Sequence, residues 1–191
     1  RGRVSALTLA QKRILMTIAR ESIAEYVKTN KVLEVHETDP RLLEKEGAFV
    51  TIHKNHQLRG CVGHIISDQP VYLTVRDMAV AAASNDSRFD PVTKAELKSL
   101  NLEISVLSAP WRIKSVEEVV MGVHGVIVRQ GPSHQGVFLP QVATETGWSK
   151  EEFLSQLCAQ KAHLSASAWK DPKTEIEIFT ADVFDESVLD Q

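Results

Sequence analysis

The chain reads as an α+β protein with mostly antiparallel strand pairing and two related halves. Three observations give that class. Runs rich in β-branched residues are separated by turns too short for a crossover, so neighbouring strands pair antiparallel. The order strand, turn, strand, helix over residues 47–83 recurs at similar length over 125–160. The helical segments open with Ser or Thr followed three residues later by Gln or Glu, as at Thr8/Gln11, Thr93/Glu96, Ser115/Glu118 and Ser149/Glu152. At 191 residues the chain makes one domain, or two lobes over about 8–110 and 111–184.

The first element is a helix from Thr8 to about Lys28, with Leu15, Ile18, Ala19, Ser22 and Tyr26 at helical spacing. Its opposite face carries Lys12, Arg13, Arg20 and Glu21 and is expected in solvent. After a polar connection, Pro40 to Glu46 makes a turn or two of helix that stops at Gly47. Phe49 to His53 is a strand, Lys54 to Gln57 the turn, and Leu58 to Ile66 the return. With Asn55-His56 as a two-residue loop, Val50 faces Cys61 and Ile52 faces Arg59. Strict alternation then sets Arg59, Cys61 and Gly63 on one side of the strand, unless a bulge at a glycine intervenes.

Ser67 or Asp68 caps the next helix, which buries Val71, Val75, Met78, Ala79 and Ala82. Its alanine run allows close approach to a sheet. Asp86 to Pro91 is a polar loop, followed by a short helix after Thr93. Asn101 to Ser108 alternates as a half-buried strand. A short helix follows Ser115. Gly122 to Val128 and Gly136 to Leu139 form the second strand pair, around a turn at Gly131-Pro132-Ser133. Pro140 opens a loop or short helix. Ser149 caps a helix that buries Leu154, Leu157 and Cys158, with Trp148 and Phe153 as its hydrophobic staple. The last strand is Glu175 to Phe184, and Asp185 to Gln191 is expected to fray.

Composition excludes several classes. Net charge is −3, with 43% hydrophobic and 25% charged residues. That is the make-up of a soluble globular protein, and a nucleic-acid binder would be basic. No apolar run approaches the ~20 residues of a membrane span. The start, Arg1-Gly2-Arg3-Val4, lacks the apolar core of a signal peptide. Cys61 and Cys158 read as free thiols in a reducing cytoplasm. GxGxxG, P-loop, HExxH and GxSxG patterns are absent, so nucleotide hydrolysis, zinc proteolysis and serine-hydrolase chemistry have no support.

The chemistry-bearing stretch is Leu58-Arg59-Gly60-Cys61-Val62-Gly63. A cysteine between two glycines, two residues after an arginine, combines a nucleophilic atom, a permanent charge and bare backbone. The bland reading is a small residue in a tight sheet contact, the usual fate of a free cysteine. His124, flanked by Gly125 in the second repeat, is a candidate base or a structural histidine. Arg88 pairs locally with Asp86 and Asp90, or binds an anion. Gln141 reads a ligand or caps the turn after Pro140. His53-x-x-His56 with Cys61-x-x-His64 could be drawn as four metal ligands, but i, i+3 residues of a strand point to opposite faces, so no metal is expected.

With that hexapeptide, Asp86-Ser87-Arg88-Phe89, Val123-His124-Gly125 and Leu139-Pro140-Gln141-Val142 in this order, the chain resembles the AMMECR family over roughly Leu9 to Phe184. Its microbial members are the A component of the AmmeMemoRadiSam system. The resemblance implies a barrel-like sheet shared by the two repeats and a biochemically uncharacterised protein. It also implies association with a Memo-type or a radical SAM protein, and it names no cofactor. Carried over by position, the recurrent residues fall on Arg59, Gly60, Cys61, Gly63, Arg88, Phe89, His124, Gly125, Leu139 and Pro140. His64 stands where relatives often have a small polar residue.

Two functions follow. In the more concrete, Cys61 is the nucleophile of an enzyme acting on a small molecule or a protein in a cleft between the repeats. Arg59 is then its charge partner or an anion clamp on the substrate, His124 the candidate base, and Gly60, Gly63, Arg88 and Gln141 line the substrate. In the other, the chain is a non-catalytic module binding a Memo-type or radical SAM partner.

Overall fold

A computed structural model describes residues 6–191, so the leader question raised by Arg1 to Val4 lies outside the described residues. The elements are mixed helix and antiparallel strand, and the chain forms two compact units. The first unit comprises residues 6–107 together with Asp182–Gln191, and the second Ser108–Ala181.

In the first unit, α1 (Leu9–Thr29) opens with both halves of the Thr8/Gln11 capping box and closes on Asn30 in the left-handed conformation, whose N–H reaches the Tyr26 carbonyl. β1 (Ala48–Lys54) pairs antiparallel with β2 (Gln57–His64) on one side and β3 (Leu100–Leu107) on the other. α2 (Val71–Ser84) lies on α1 and on the first two strands. Val50, Ile52, Leu102 and Ile104 from the sheet meet Leu15, Ala19, Val75 and Ala79 from the helices in one fully buried core. Each large aliphatic side chain taken from water there contributes roughly 1.5–3 kcal/mol.

Asn55 and His56 both have positive φ (52° and 62°), the geometry of a two-residue hairpin loop. The loop is the expected one, but the register is not. Lys54 faces Gln57 and His53 faces Leu58, then the pairing slips, so that Ile52 faces Gly60, Thr51 faces Cys61 and Val50 faces Val62. Arg59 is the extra residue of a β-bulge, and the expected alternation of Arg59 with Cys61 is broken there.

Two further expectations give way. Ser105 and Leu107 are buried as completely as Ile104, so β3 is covered on both faces at its end rather than half-buried. The C-terminal residues do not fray. β7 (Glu175–Asp185) runs out of the second unit into the first and is followed by a 3₁₀ turn over Glu186–Asp190. Phe184 and Val188 enter the first core. Glu186 accepts the Leu102 N–H (2.8 Å), and Arg13 donates to the Val188 carbonyl (2.8 Å). Lys12 and Arg20 pair with Asp182 and Glu186, so the basic face of α1 is partly covered by the tail.

In the second unit β7 lies between β5 (His124–Gln130) and the short β4 (Trp111–Arg112), and β5 pairs with β6 (His134–Phe138), all antiparallel. After β6 come α3 (Gln141–Thr146) and α4 (Lys150–Gln156), the latter continuing as a π-helical turn over Leu157–Lys161. Phe153, Leu154, Leu157 and Cys158 close on Val126, Val128, Ile176 and Ile178. Phe138 stacks obliquely on both Trp148 and Phe153.

The two units share a device. In each, a glycine on the second hairpin strand touches helical backbone. A Cβ on Gly60 would lie 2.2 Å from the Ala82 carbonyl oxygen, and one on Gly136 2.6 Å from the Ala162 nitrogen. In each, another glycine is roofed by the aromatic ring of its cross-strand partner, Phe49 over Gly63 and Phe179 over Gly125.

Candidate functional site

The hexapeptide builds its surroundings one residue at a time. Arg59, expelled by the bulge, sends its guanidinium to Glu96 through two nitrogens (2.9 and 3.1 Å) and to the Asp90 carbonyl (2.8 Å). Glu96 also completes the Thr93 capping box and pairs with Lys54 at 3.0 Å. The Arg59 hydrogen bonds are the main reason its carboxyl stays well below the usual carboxylate range. Gly60 lets α2 approach, as its contact with Ala82 requires.

Cys61 sits on β2, which among the described residues pairs with β1 alone and so leaves outward backbone groups to satisfy. The loop after α2 supplies that need. Asp86, 9% exposed, accepts the Cys61 N–H at 2.9 Å. The same carboxylate takes two hydrogen bonds from the Arg88 guanidinium (2.8 and 3.0 Å) and one from the Arg88 N–H. Arg88 in turn reaches the Cys61 carbonyl at 3.4 Å. Asp86 and Arg88 together occupy one N–H and one C=O of the strand edge, as a further strand would. Arg88 holds Asp86 strongly ionised against the cost of burial. Half of the Arg88 side chain stays exposed, its guanidinium 5.4 Å from the centre of the Phe89 ring.

The Cys61 thiol lies 3.2 Å from the Thr51 hydroxyl. Burial pushes its pKa up, and neither the Thr51 hydrogen bond nor the Arg88 charge reverses that. The cation acting on the sulfur is Arg88; Arg59, the charge partner read from the sequence, is committed to Glu96. Burial thus opposes the thiolate, the form of the sulfur that acts as a nucleophile. Cys158 is fully buried in the second core.

His124 belongs to the other unit. Its Nδ1 accepts the Val120 N–H at 2.9 Å, closing the turn before β5, and its ring meets Trp111 edge to face at 5.7 Å. Burial lowers its pKa. With Nδ1 accepting, the neutral ring carries its proton on Nε2 and offers a donor there. Gln141 begins α3 and is half-buried. His53 and His56 line a groove with Asn101, Glu103, Asp185 and Asp190. Among the described residues, no group of three or more His, Cys, Asp or Glu side chains is arranged to hold a metal ion. No helix among them is long and apolar enough to cross a membrane.

Sequence reading missed Thr51 as the partner of the thiol and Glu96 as the partner of Arg59. The first required the bulged register. The second had a signal, since Glu96 was already marked as the reciprocal half of a capping box with spare lone pairs.

Comparison with known proteins places these residues in a family. The AMMECR1 family model matches residues 16–184. The protein MK0488 of Methanopyrus kandleri is 38% identical, over 94% of this chain and 90% of its own length. A protein of Thermococcus gammatolerans is 40% identical over 90% of this chain and 88% of its own. The crystal structure of uncharacterized protein PH0010 from Pyrococcus horikoshii superposes with a TM-score of 0.84 at 38% identity, covering 90% of this chain and 89% of that one.

Proposed function

This chain belongs to the AMMECR1 family, and from the geometry around Cys61 we propose that it is a non-catalytic binding module rather than a cysteine enzyme. The observation that carries the reading is the thiol itself: hydrogen-bonded to Thr51, its pKa pushed up by burial, and, among the described residues, bonded to no basic side chain. Arg59 is tied to Glu96, and Gly60 and Gly63 make close contacts with Ala82 and Phe49. The group left available is Arg88. Asp86 fixes the guanidinium through Nε and Nη2, the latter also reaching the Cys61 carbonyl, and the remaining Nη1 is held ready to donate to a carboxylate. The occupant is an acidic surface of a partner protein, for which a Memo-type or radical SAM protein, implied by the family resemblance, is the first choice.

Alkylation of Cys61 followed by intact mass, in a Cys158→Ser background, tests this. Slow labelling is expected, with an apparent pKa above the reference of about 8.5. In pull-downs with purified Memo-type and radical SAM proteins, Cys61→Ser retains capture and Arg88→Ala loses it. Fast labelling that levels off below pH 7 would restore the nucleophile and end the binding reading.

A further inference from the structure

Beyond the Cys61 clip, β2 has a stretch of open edge. Asp86 takes the Cys61 N–H and Arg88 reaches the Cys61 carbonyl, so both backbone groups of that residue face away from β1. In an antiparallel pair the groups that face away recur at every second residue. The next such pair belongs to Gly63, which stands opposite Phe49. Among the described residues, no backbone or side-chain group bonds the Gly63 N–H or C=O across that edge. The stretch is held on both faces. The Phe49 ring lies against Gly63 on one, and Val62 packs on the first core on the other. A fixed strand with unpaired N–H and C=O groups is a template for a further strand.

What can be added is limited at both ends. Toward Cys61 the edge is closed, because Asp86 and Arg88 already occupy its groups. An added segment therefore stops bonding backbone after Gly63 and meets the Arg88 guanidinium. Asp86 and the Cys61 carbonyl engage Nε and Nη2, and Nη1 is the nitrogen that neither takes. The complement of that nitrogen, on a residue two places from the one opposite Gly63, is a carboxylate. Past the other end of β2 stands Ile66, 73% exposed and the barest large hydrophobic side chain among the described residues. Its complement is an apolar side chain.

Resting on the binding reading above, we propose that the partner's acidic surface is an extended segment that adds to β2 at Gly63: its backbone bonds the Gly63 N–H and C=O, its carboxylate meets Arg88 Nη1, and an apolar residue of it covers Ile66. An acidic patch on a folded surface satisfies Arg88 alone and leaves the backbone edge and Ile66 in water.

Amide hydrogen exchange, resolved by residue in the full chain with and without the purified Memo-type and radical SAM proteins, is the test. In the free chain the Gly63 amide is expected to exchange fast and the Val62 amide, which faces β1, slowly. In the captured complex Gly63 slows by about tenfold or more, and Val62 is unchanged. Ile66→Glu sets a like charge against the acidic segment at a side chain that is mostly in solvent. It keeps the melting temperature and lowers capture several-fold. Arg88-dependent capture with Gly63 exchanging as in the free chain overturns the added strand and leaves the binding reading standing. Full capture by Ile66→Glu does the same, as does slow Gly63 exchange in the free chain, which would show the edge already covered. No capture by either protein ends the binding reading and the added strand with it.

Discussion

Asp86 holds more of the candidate site than Cys61 does. One carboxylate satisfies the Cys61 N–H, anchors the Arg88 side chain and bonds the Arg88 N–H. Replacing it with alanine is expected to cost about 2 kcal/mol, the range for hydrogen bonds to a charged group whose partners are left behind. The pH dependence has a definite sign. Arg88 depresses the Asp86 pKa below its unfolded value of about 3.9. The stability this adds is complete above that value and is lost as pH falls toward the folded one. Glu96, depressed chiefly by Arg59, acts in the same direction. Urea midpoints should therefore fall steeply below pH 4, and Asp86→Asn should flatten that slope while lowering stability at neutral pH.

Glycine and alanine set the spacing between strand and helix in both repeats. Gly60→Ala drives a methyl into the Ala82 carbonyl, where only backbone movement relieves the clash, and is expected to cost about 3 kcal/mol. Gly131→Ala, at a turn with φ of 69° and open space around it, suffers only the left-handed conformation and should cost about 1 kcal/mol. Equilibrium unfolding of the two variants checks the contrast; similar losses would mean that the strand–helix contact is not tight. These elements were legible because their cues are local. Capping boxes, the Asn55-His56 turn and the alanine run each act within a few residues. The bulge was not legible, because slippage at Arg59 is decided by what Arg59 and Gly60 meet across space, Glu96 and Ala82, and no local pattern encodes those partners. The same holds for the site. Cys61 and Arg88 stood out by type, while the Asp86–Cys61 bond that joins them spans 25 positions.

Across the molecule, β7 is the strand with a duty in both cores. Ile176 and Ile178 are buried in the second unit and Phe184 in the first. Deleting Asp182–Gln191 removes Phe184 and Val188 from the first core and strips the Leu102 N–H of Glu186 and the Leu7 N–H of Asp182. The truncated chain is expected to lose hydrogen-exchange protection in α1 and β1–β3 and to keep it in β5 and β6. Uniform loss across all strands would show that the two units open as one.

The route of the backbone also orders events at the ribosome. The first unit joins residues 6–107 to Asp182–Gln191, with Ser108–Ala181 inserted between them. A nascent chain that has reached Ala181 carries Ser108–Ala181 in full, yet residues 6–107 still lack the segment that packs against α1. The earlier-made segment thus waits on the later one, exposing the ground that Asp182–Gln191 will cover until those residues emerge.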